Sequence, residues 1–371
     1  IQNNRAIFVL WAITGKLDAP GAIYLNAKGL ETPKLFEIPE DDKPIGVDEF
    51  PLFYKFSGQG QFSRFPKAVL EDEPYPVRGL MILGGSPVLS FPDSKSWREA
   101  YKKLDCLIVL DRYFTEDARY ADVVFPACSL FEVPKAVPGP EGPHIVEPLI
   151  EPVGESKNDV LIMGAIAKKL GFGDKLPQTE EELRSWLLSG TAPYAGDFGT
   201  SADQKKEKHY KKYETGELRA DGKPGFPTPS GKLEICSTIL EENGFVPYPE
   251  YKDVRSIPGL AGKEYPFTMT SGARSNNRMG VFGANLDKIA EIEPYPFVDI
   301  NAEDAKEIGI KDGDMVKVIT PFADGTFKAK IRGIARHAIH IPHGGGSAYM
   351  AEPWKNGNVN DLCSLDYADP M

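Results

Sequence analysis

The stretch TMTSGARSNNRMG (residues 268–280) sets two arginines, Arg274 and Arg278, around two amides, Asn276 and Asn277, and contains no acid. A guanidinium grips phosphate through a planar fork of N–H donors, and an amide offers both a donor and an acceptor to the edge of a base. Gly272 and Gly280 keep the backbone open to close approach. Together these residues suit an anionic ligand that carries phosphates and a heterocycle. The patch is local, because the whole chain carries 54 acidic against 43 basic side chains. Unpaired surface arginines are the other reading of the same residues.

Four further features have the chemistry of binding. Gly84-Gly85-Ser86-Pro87 follows the apolar run GLMIL (residues 79–83), where glycines let a ligand reach backbone N–H groups. A plain strand-to-loop turn explains the same residues. Asp111 and Arg112 end the next apolar run, CLIVL, and a carboxylate there can accept from a ribose hydroxyl or a base, or merely cap the strand. Asp159, in ESKND, can accept from a pair of N–H donors, or serve as the third residue of a Ser-x-x-Asp capping box begun by Ser156. HGGGSAY (residues 343–349) and NGNVNDL (residues 356–362) are polar and glycine-rich, and together they suggest one concave polar site.

Catalytic signatures are absent: no G-x-S-x-G, H-E-x-x-H, P-loop or complete G-x-G-x-x-G occurs, and the acids form no evident pairs. The cysteines Cys106, Cys128, Cys236 and Cys363 are scattered without a C-x-x-C, so neither a zinc nor an iron–sulfur site is read from them, and Cys106 is expected in the core. His337, His340 and His343 are spaced by three, but Pro342 and the glycines break a helix, so no metal site is assigned. The net charge of −11 argues against a general nucleic-acid binder, and the one basic run, KKEKHYKK (residues 205–212), reads as a solvated loop. The longest apolar run, AIFVLWAI (residues 6–13), is too short to cross a bilayer.

The elements that must position these residues divide into four sections. Residues 1–75 open with a helix closed by Gly15 and continue as an irregular, Pro- and acid-rich stretch. Residues 76–126 alternate strand, helix, strand and strand, with Trp97, Ala100 and Leu104 at helical spacing behind Ser94 as N-cap. Apolar strands without alternation argue for a parallel, Rossmann-like α/β sheet covered on both faces, whose ligands sit beyond the strand C-termini. Residues 127–260 are loop-rich, with one good helix after Ser156 and a strand-like KLEIC. Residues 261–371 read as a small β-barrel. There Asn301 caps a short helix with Ala302, Ala305 and Ile308 inward and Gly309 as stop, and Phe327, Ala329 and Ile331 alternate with Lys328, Lys330 and Arg332.

In this order, PYPVRGLMILGGSPVLSFPD, LDCLIVLDRYFTEDARYADVVFPA, EPVGESKND, FPTPSGKLEI, TSGAR, PFVDINAEDAKEIGIKDGDMVKV and NVNDL…DP resemble the C-terminal half of the DMSO reductase family of molybdenum or tungsten oxidoreductases. The resemblance covers nearly the whole chain. It implies a C-terminal double-psi β-barrel and a bis(molybdopterin guanine dinucleotide) cofactor, bound for redox or oxo-transfer chemistry. The family's G-x-N-P turn matches Gly84, Gly85, Ser86 and Pro87, with Ser86 in place of the Asn, which implies a weaker contact. Asp111, with Arg112 beside it, matches the acid after the next strand, and Asp159 the family acid that contacts guanine. Thr270, Ser271, Gly272, Ala273, Arg274, Asn276, Asn277 and Arg278 match the loop that wraps the other dinucleotide, and Asn360 the Asn near the family's C-terminus.

The chain opens on Ile1 and stops just past Asp369-Pro370, so a fragment inactive by itself is expected. The metal, its protein ligand and a 4Fe–4S cluster are implied only through an upstream half. A Gly that often follows the glutamate after ADVVFPA is replaced in FEVPKAV. The implied partners are a small-molecule substrate and an iron–sulfur electron-transfer subunit, with no nucleic acid and no direct membrane insertion; the compartment is left open between cytoplasm and periplasm. A cofactor-free scaffold subunit and a non-redox, hydratase-type member are the alternatives.

Overall fold

The computed structural model describes residues 2–25, 43–137, 143–189, 209–253, 256–257, 264–272, 285–350 and 352–366. They fall in two compact units, one of residues 1–42, 128–251 and 371, the other of 43–127 and 252–370. In chain order the elements are helix α1 (Gln2–Ile13), α2 (Pro51–Ser57), α3 (Phe65–Glu71), strand β1 (Gly79–Leu83), α4 (Pro87–Ser90), α5 (Ser94–Lys103), β2 (Cys106–Asp111) and β3 (Val123–Pro126). There follow β4 (Lys135–Val137), β5 (His144–Val146), α6 (Asp159–Lys169), α7 (Glu180–Leu188), β6 (Thr268–Ser271), β7 (Phe297–Asn301), β8 (Met315–Ile319), β9 (Asp324–Arg332) and β10 (Ala338–Ile341), with short helices between them.

In the second unit, β1, β2 and β3 form a parallel sheet in that order, with Leu83 opposite Leu110 and Asp111 opposite Pro126. Parallel pairing needs a long crossover, and α5 supplies it between β1 and β2. Its buried stripe is Trp97, Ala100 and Tyr101. Trp97 lies among Phe62, Phe65 and Phe91, with ring centroids 5.3–5.7 Å away, so burying the indole contributes on the order of 5 kcal/mol. Val88, Leu89, Leu107 and Val109 complete this core. Leu83 and Val123 stay exposed, so the cover expected on both faces is incomplete among the described residues. Residues 43–72 are also more regular than expected, because Pro51 and Pro66 start α2 and α3.

The same unit holds a five-stranded mixed sheet in the order β6–β10–β7–β9–β8. The pairs β6–β10 and β7–β9 are parallel, and β10–β7 and β9–β8 antiparallel. Its core is Val298, Ile300, Phe327, Ile339, Ile341, Val359 and Leu362. The expected parallel α/β portion followed by a β-rich region is therefore present. The caps and turns agree in part. Asn301 does cap the helix Ala302–Glu307 by accepting from Glu303 N, and Gly309 ends it at φ 75°. Only Ala305 of the expected stripe is buried. Ala302 and Ile308 face solvent, and Asp304 takes the inward place because Arg336 and the His337 N–H satisfy its carboxylate. Ile331 is likewise exposed near the end of β9.

In the first unit, α1 ends as expected: Gly15 at φ 67° donates to Ala12 O and Lys16 N to Trp11 O, the paired bonds of a Schellman stop. β4 and β5 pair antiparallel, and α7 is a second full helix, capped by Thr179 and opened by Glu180, Glu181 and Glu182. Residues 232–236 (KLEIC) form no strand. Lys212, at the end of the run expected to be solvated, is buried: its ammonium pairs with fully buried Asp18 and lies 3.7 Å from the Tyr24 ring centroid. Two caps also moved. Asp93, not Ser94, caps α5 by accepting from Ser96 N. Asn158, not Ser156, caps α6 by accepting from Val160 N, which puts Asp159 in the first helical position rather than the third. In both cases the residue adjoining the helix reaches the free N–H groups best. Cys106 is exposed, since it opens β2 rather than lying within it.

Candidate functional site

The Gly84–Pro87 turn leaves β1 at the carboxyl end of the parallel sheet, beside the end of β2. Gly84 donates to Leu110 O at 2.9 Å and sits at φ 59°, in the left-handed region that costs a non-glycine residue about 1–2 kcal/mol. A Cβ built on Gly84 meets nothing within 4 Å, and one on Gly85 meets only Leu83 O at 3.9 Å. The backbone thus has free space above it, as a ligand pressed against a glycine turn requires. Asp111 ends β2 next door. Its Oδ1 accepts from Tyr113 N at 3.0 Å, and burial pushes its carboxyl above the ordinary range against the pull of that N–H and of Arg112. Arg112 is exposed.

Ser86 and Pro87 point the other way. Both are buried, and the Ser86 hydroxyl donates to Asp117. Asp117 was not singled out in the sequence, yet it organises this end of the sheet. It is fully buried and accepts from Ser86, from Val88 N at 3.1 Å and from Tyr101 OH at 2.7 Å. Burial raises its pKa despite these three donors. Its neighbour Glu116, also buried, binds Arg119 at 2.7 Å and accepts from Ala348 N at 3.0 Å. In sequence the two acids of TEDAR look like an ordinary solvated turn, and only their position just past a buried strand hinted otherwise.

Glu116 is one tie between the parallel sheet and the polar loops near the C-terminus; Asn358 and Asn360 are others. Asn358 Nδ2 donates to Ser94 Oγ at 3.0 Å, Asn360 Nδ2 donates to Leu89 O at 2.6 Å, and Asn360 O accepts from Asp93 N at 3.1 Å. The two glycine-rich loops do meet, and they pack closely on each other. A Cβ on Gly345 would stand 2.8 Å from Gly357 O, and one on Gly346 2.6 Å from Asn358 Cβ. Asn360, expected at a ligand, has a side-chain donor committed to the fold.

Thr270 and Ser271 lie exposed on edge strand β6, with Thr270 Oγ1 3.1 Å from His340 Nδ1. Gly272 follows at φ 111° with open space where a Cβ would be. Ala273, Arg274, Asn276, Asn277 and Arg278 lie outside the described residues. Asp159 is half-buried in the first unit, whereas Gly84, Gly85, Ser86, Pro87, Asp111, Arg112, Thr270, Ser271, Gly272 and Asn360 all belong to the second. Within the second unit the structure brings together the glycine turn, Asp111, Arg112 and, through Leu89, Asn360. Among the described residues no group of three His, Cys, Asp or Glu side chains is arranged to hold a metal ion, and no helix is long and apolar enough to cross a membrane.

Residues 55–169 match the molybdopterin oxidoreductase family model, and residues 268–371 the molydopterin dinucleotide binding domain. The F420-dependent formate dehydrogenase subunit alpha of Methanocaldococcus jannaschii is 31% identical over 277 residues, which cover 72% of this chain and 38% of that protein. Dopamine dehydroxylase of Eggerthella lenta is 25% identical, with all of this chain matched to 45% of its length. Among solved structures, acetylene hydratase from Pelobacter acetylenicus superposes with a TM-score of 0.67 at 20% identity, over 88% of this chain and 49% of that one, a likeness of fold. The chain therefore spans less than half the length of these curated relatives.

Proposed function

The chain belongs to the molybdopterin oxidoreductase family, and from that premise we propose that it is the part of a larger enzyme that grips molybdopterin guanine dinucleotide. The observation that supports this most is the Gly84–Gly85 turn at the end of the parallel sheet, with unfilled space over both Cα atoms and Asp111 beside it. The donor set suits the ligand. An open backbone and the Arg112 guanidinium answer phosphates, and a carboxylate answers the paired N–H donors of guanine. Asp159 and residues 270–278 are assigned to the guanine and phosphates of the dinucleotides, and the five-stranded sheet is read as part of a double-psi β-barrel.

The metal-bearing cofactor would supply the redox or oxo-transfer chemistry, and this chain orients it and keeps water away. Ser86 adds little directly, because its hydroxyl proton is committed to Asp117. Its part is to hold the turn. Two dinucleotides per full-length protein are expected. Molybdenum or tungsten, the metal ligand and a 4Fe–4S cluster are assigned to the portion of the relatives that this chain does not span. The name of the archaeal relative, a formate dehydrogenase subunit alpha, favours redox work beside an electron-transfer subunit. The likeness to an acetylene hydratase of Syntrophotalea acetylenica, 24% identical over 302 residues, keeps a non-redox hydratase as the second reading.

Acid denaturation of the full-length parent protein, followed by mass spectrometry of released nucleotide, tests the proposal. About two GMP equivalents per chain are expected. None, from cells that make the cofactor, would leave a scaffold subunit as the better account.

A further inference from the structure

Behind the Gly84–Pro87 turn lies an acid that the proposed function leaves unused. Asp117 is wholly buried, and three donors converge on it: the Ser86 hydroxyl, the Tyr101 hydroxyl at 2.7 Å and Val88 N at 3.1 Å. Burial and the nearby carboxyl raise the pKa of Tyr101, so its hydroxyl keeps its proton and stays a donor. Glu116, the buried neighbour of Asp117, has a cation in Arg119 at 2.7 Å. Among the described residues no Lys, Arg or His forms such a pair with Asp117. The groups that act on it are neutral: Tyr101 from α5, Ser86 and Val88 from the turn and α4, and its own N–H. A buried carboxylate without a counter-charge is costly, and a proton relieves the cost. Burial accordingly holds Asp117 toward its protonated form despite the three donors.

Ser86 connects this carboxyl to the open side of the turn. Its hydroxyl reaches Asp117, while Gly85, next to it in the chain, has free space where a Cβ would be. A phosphate resting on Gly85 stands on the order of 10 Å from the carboxyl, with protein instead of water between them. We propose that anion binding at the Gly84–Pro87 turn is coupled to proton uptake by Asp117. At that separation and an effective dielectric of about 20, one phosphate charge favours the protonated acid about tenfold. Linkage is reciprocal, so the protonated form binds the anion about tenfold more tightly than the ionised form. Affinity therefore falls as pH rises through the range in which Asp117 of the unliganded protein loses its proton.

This inference rests on the dinucleotide reading above, and the test separates the two. Inorganic pyrophosphate and GDP are titrated calorimetrically into the apo form of the full-length parent protein, taken from cells that cannot make the cofactor. Each titration is run in two buffers that differ in heat of ionisation, which counts the protons taken up per anion bound. Asp111, Arg112 and the titration of the probe are common to wild type and Asp117→Asn, so the difference between the two proteins isolates Asp117. A wild-type excess that peaks at about half a proton is expected, since a tenfold change in proton affinity alters occupancy by that much at most. Tyr101→Phe removes a donor from the ionised carboxyl and should move the peak to higher pH, and this variant carries the test if the Asp117→Asn protein does not fold. Anion binding with no excess, or a peak that Tyr101→Phe leaves in place, would overturn the coupling and leave the dinucleotide reading standing. Wild type that takes neither probe would overturn both.

Discussion

Removing the carboxyl of Asp117 should cost far more than neutralising it. In Asp117→Ala, three donors that are buried at the carboxyl end of the sheet lose their acceptor: Ser86 Oγ, Tyr101 OH and Val88 N. An unsatisfied buried donor costs about 1–3 kcal/mol, so the bare sum lies between roughly 3 and 9. Water admitted to the small cavity would recover part of this, and about 3–5 kcal/mol is expected. Asp117→Asn keeps the volume. Its Oδ1 can still accept from Tyr101 and Val88, its amide can donate to Ser86, and a charge that burial disfavours is gone. A cost below about 1.5 kcal/mol follows. The pH dependence gives an independent sign. Because burial raises Asp117 above its unfolded pKa, the folded chain holds the proton longer. Its contribution is present below the unfolded value and is lost as pH rises through the folded one, and Asp117→Asn should remove that slope. Hydrogen exchange under graded urea, read on peptides from β1 and β2, reports this unit without assuming that the whole chain unfolds in one step. An alanine variant that exchanges like wild type, or an asparagine variant as damaged as the alanine, would refute the buried-acceptor account.

Two further outcomes are expected. The Glu132 carboxylate accepts from Ser129 N at 2.5 Å and Val153 N at 2.6 Å, and donors led by those of Ser129 hold its pKa down to about 2. Its contribution is therefore present above the ordinary glutamate range and is lost as pH falls from about 4.5 toward 2. Thermal melts of Glu132→Gln against wild type should differ most at pH 6, with the gap narrowing steadily as pH is lowered from about 4.5 toward 2, and a constant gap would contradict this. Asn360→Ala should cost about 1–3 kcal/mol by leaving Leu89 O without its side-chain donor, seen as faster exchange in β7 and β9. Unchanged exchange would show that the Asn360–Leu89 hydrogen bond does not hold this part of the fold.

Much of the local structure was legible in the sequence, because strand alternation, helix stops and caps depend on neighbours a few residues away. Gly15 and Gly309 end their helices, Asn301 caps one, and Phe327 and Ala329 face inward, all as their spacing predicts. The order of motifs along the chain also carried the family. Where a local rule offered adjacent candidates, as with Ser94 beside Asp93 or Ser156 near Asn158, the residue adjoining the helix took the cap. Only the tertiary structure decided which polar groups are buried and what they hold. Asp117 is an acceptor because Ser86 and Tyr101 are folded onto it, Asn360 a donor because Leu89 O, 271 residues earlier, lies within reach, and Lys212 a buried donor because the Asp18 carboxylate, 194 residues away, meets its ammonium. Such pairings have no period. A polar atom can be buried only when a partner arrives from elsewhere in the chain, so its role is set by packing and not by its neighbours in sequence.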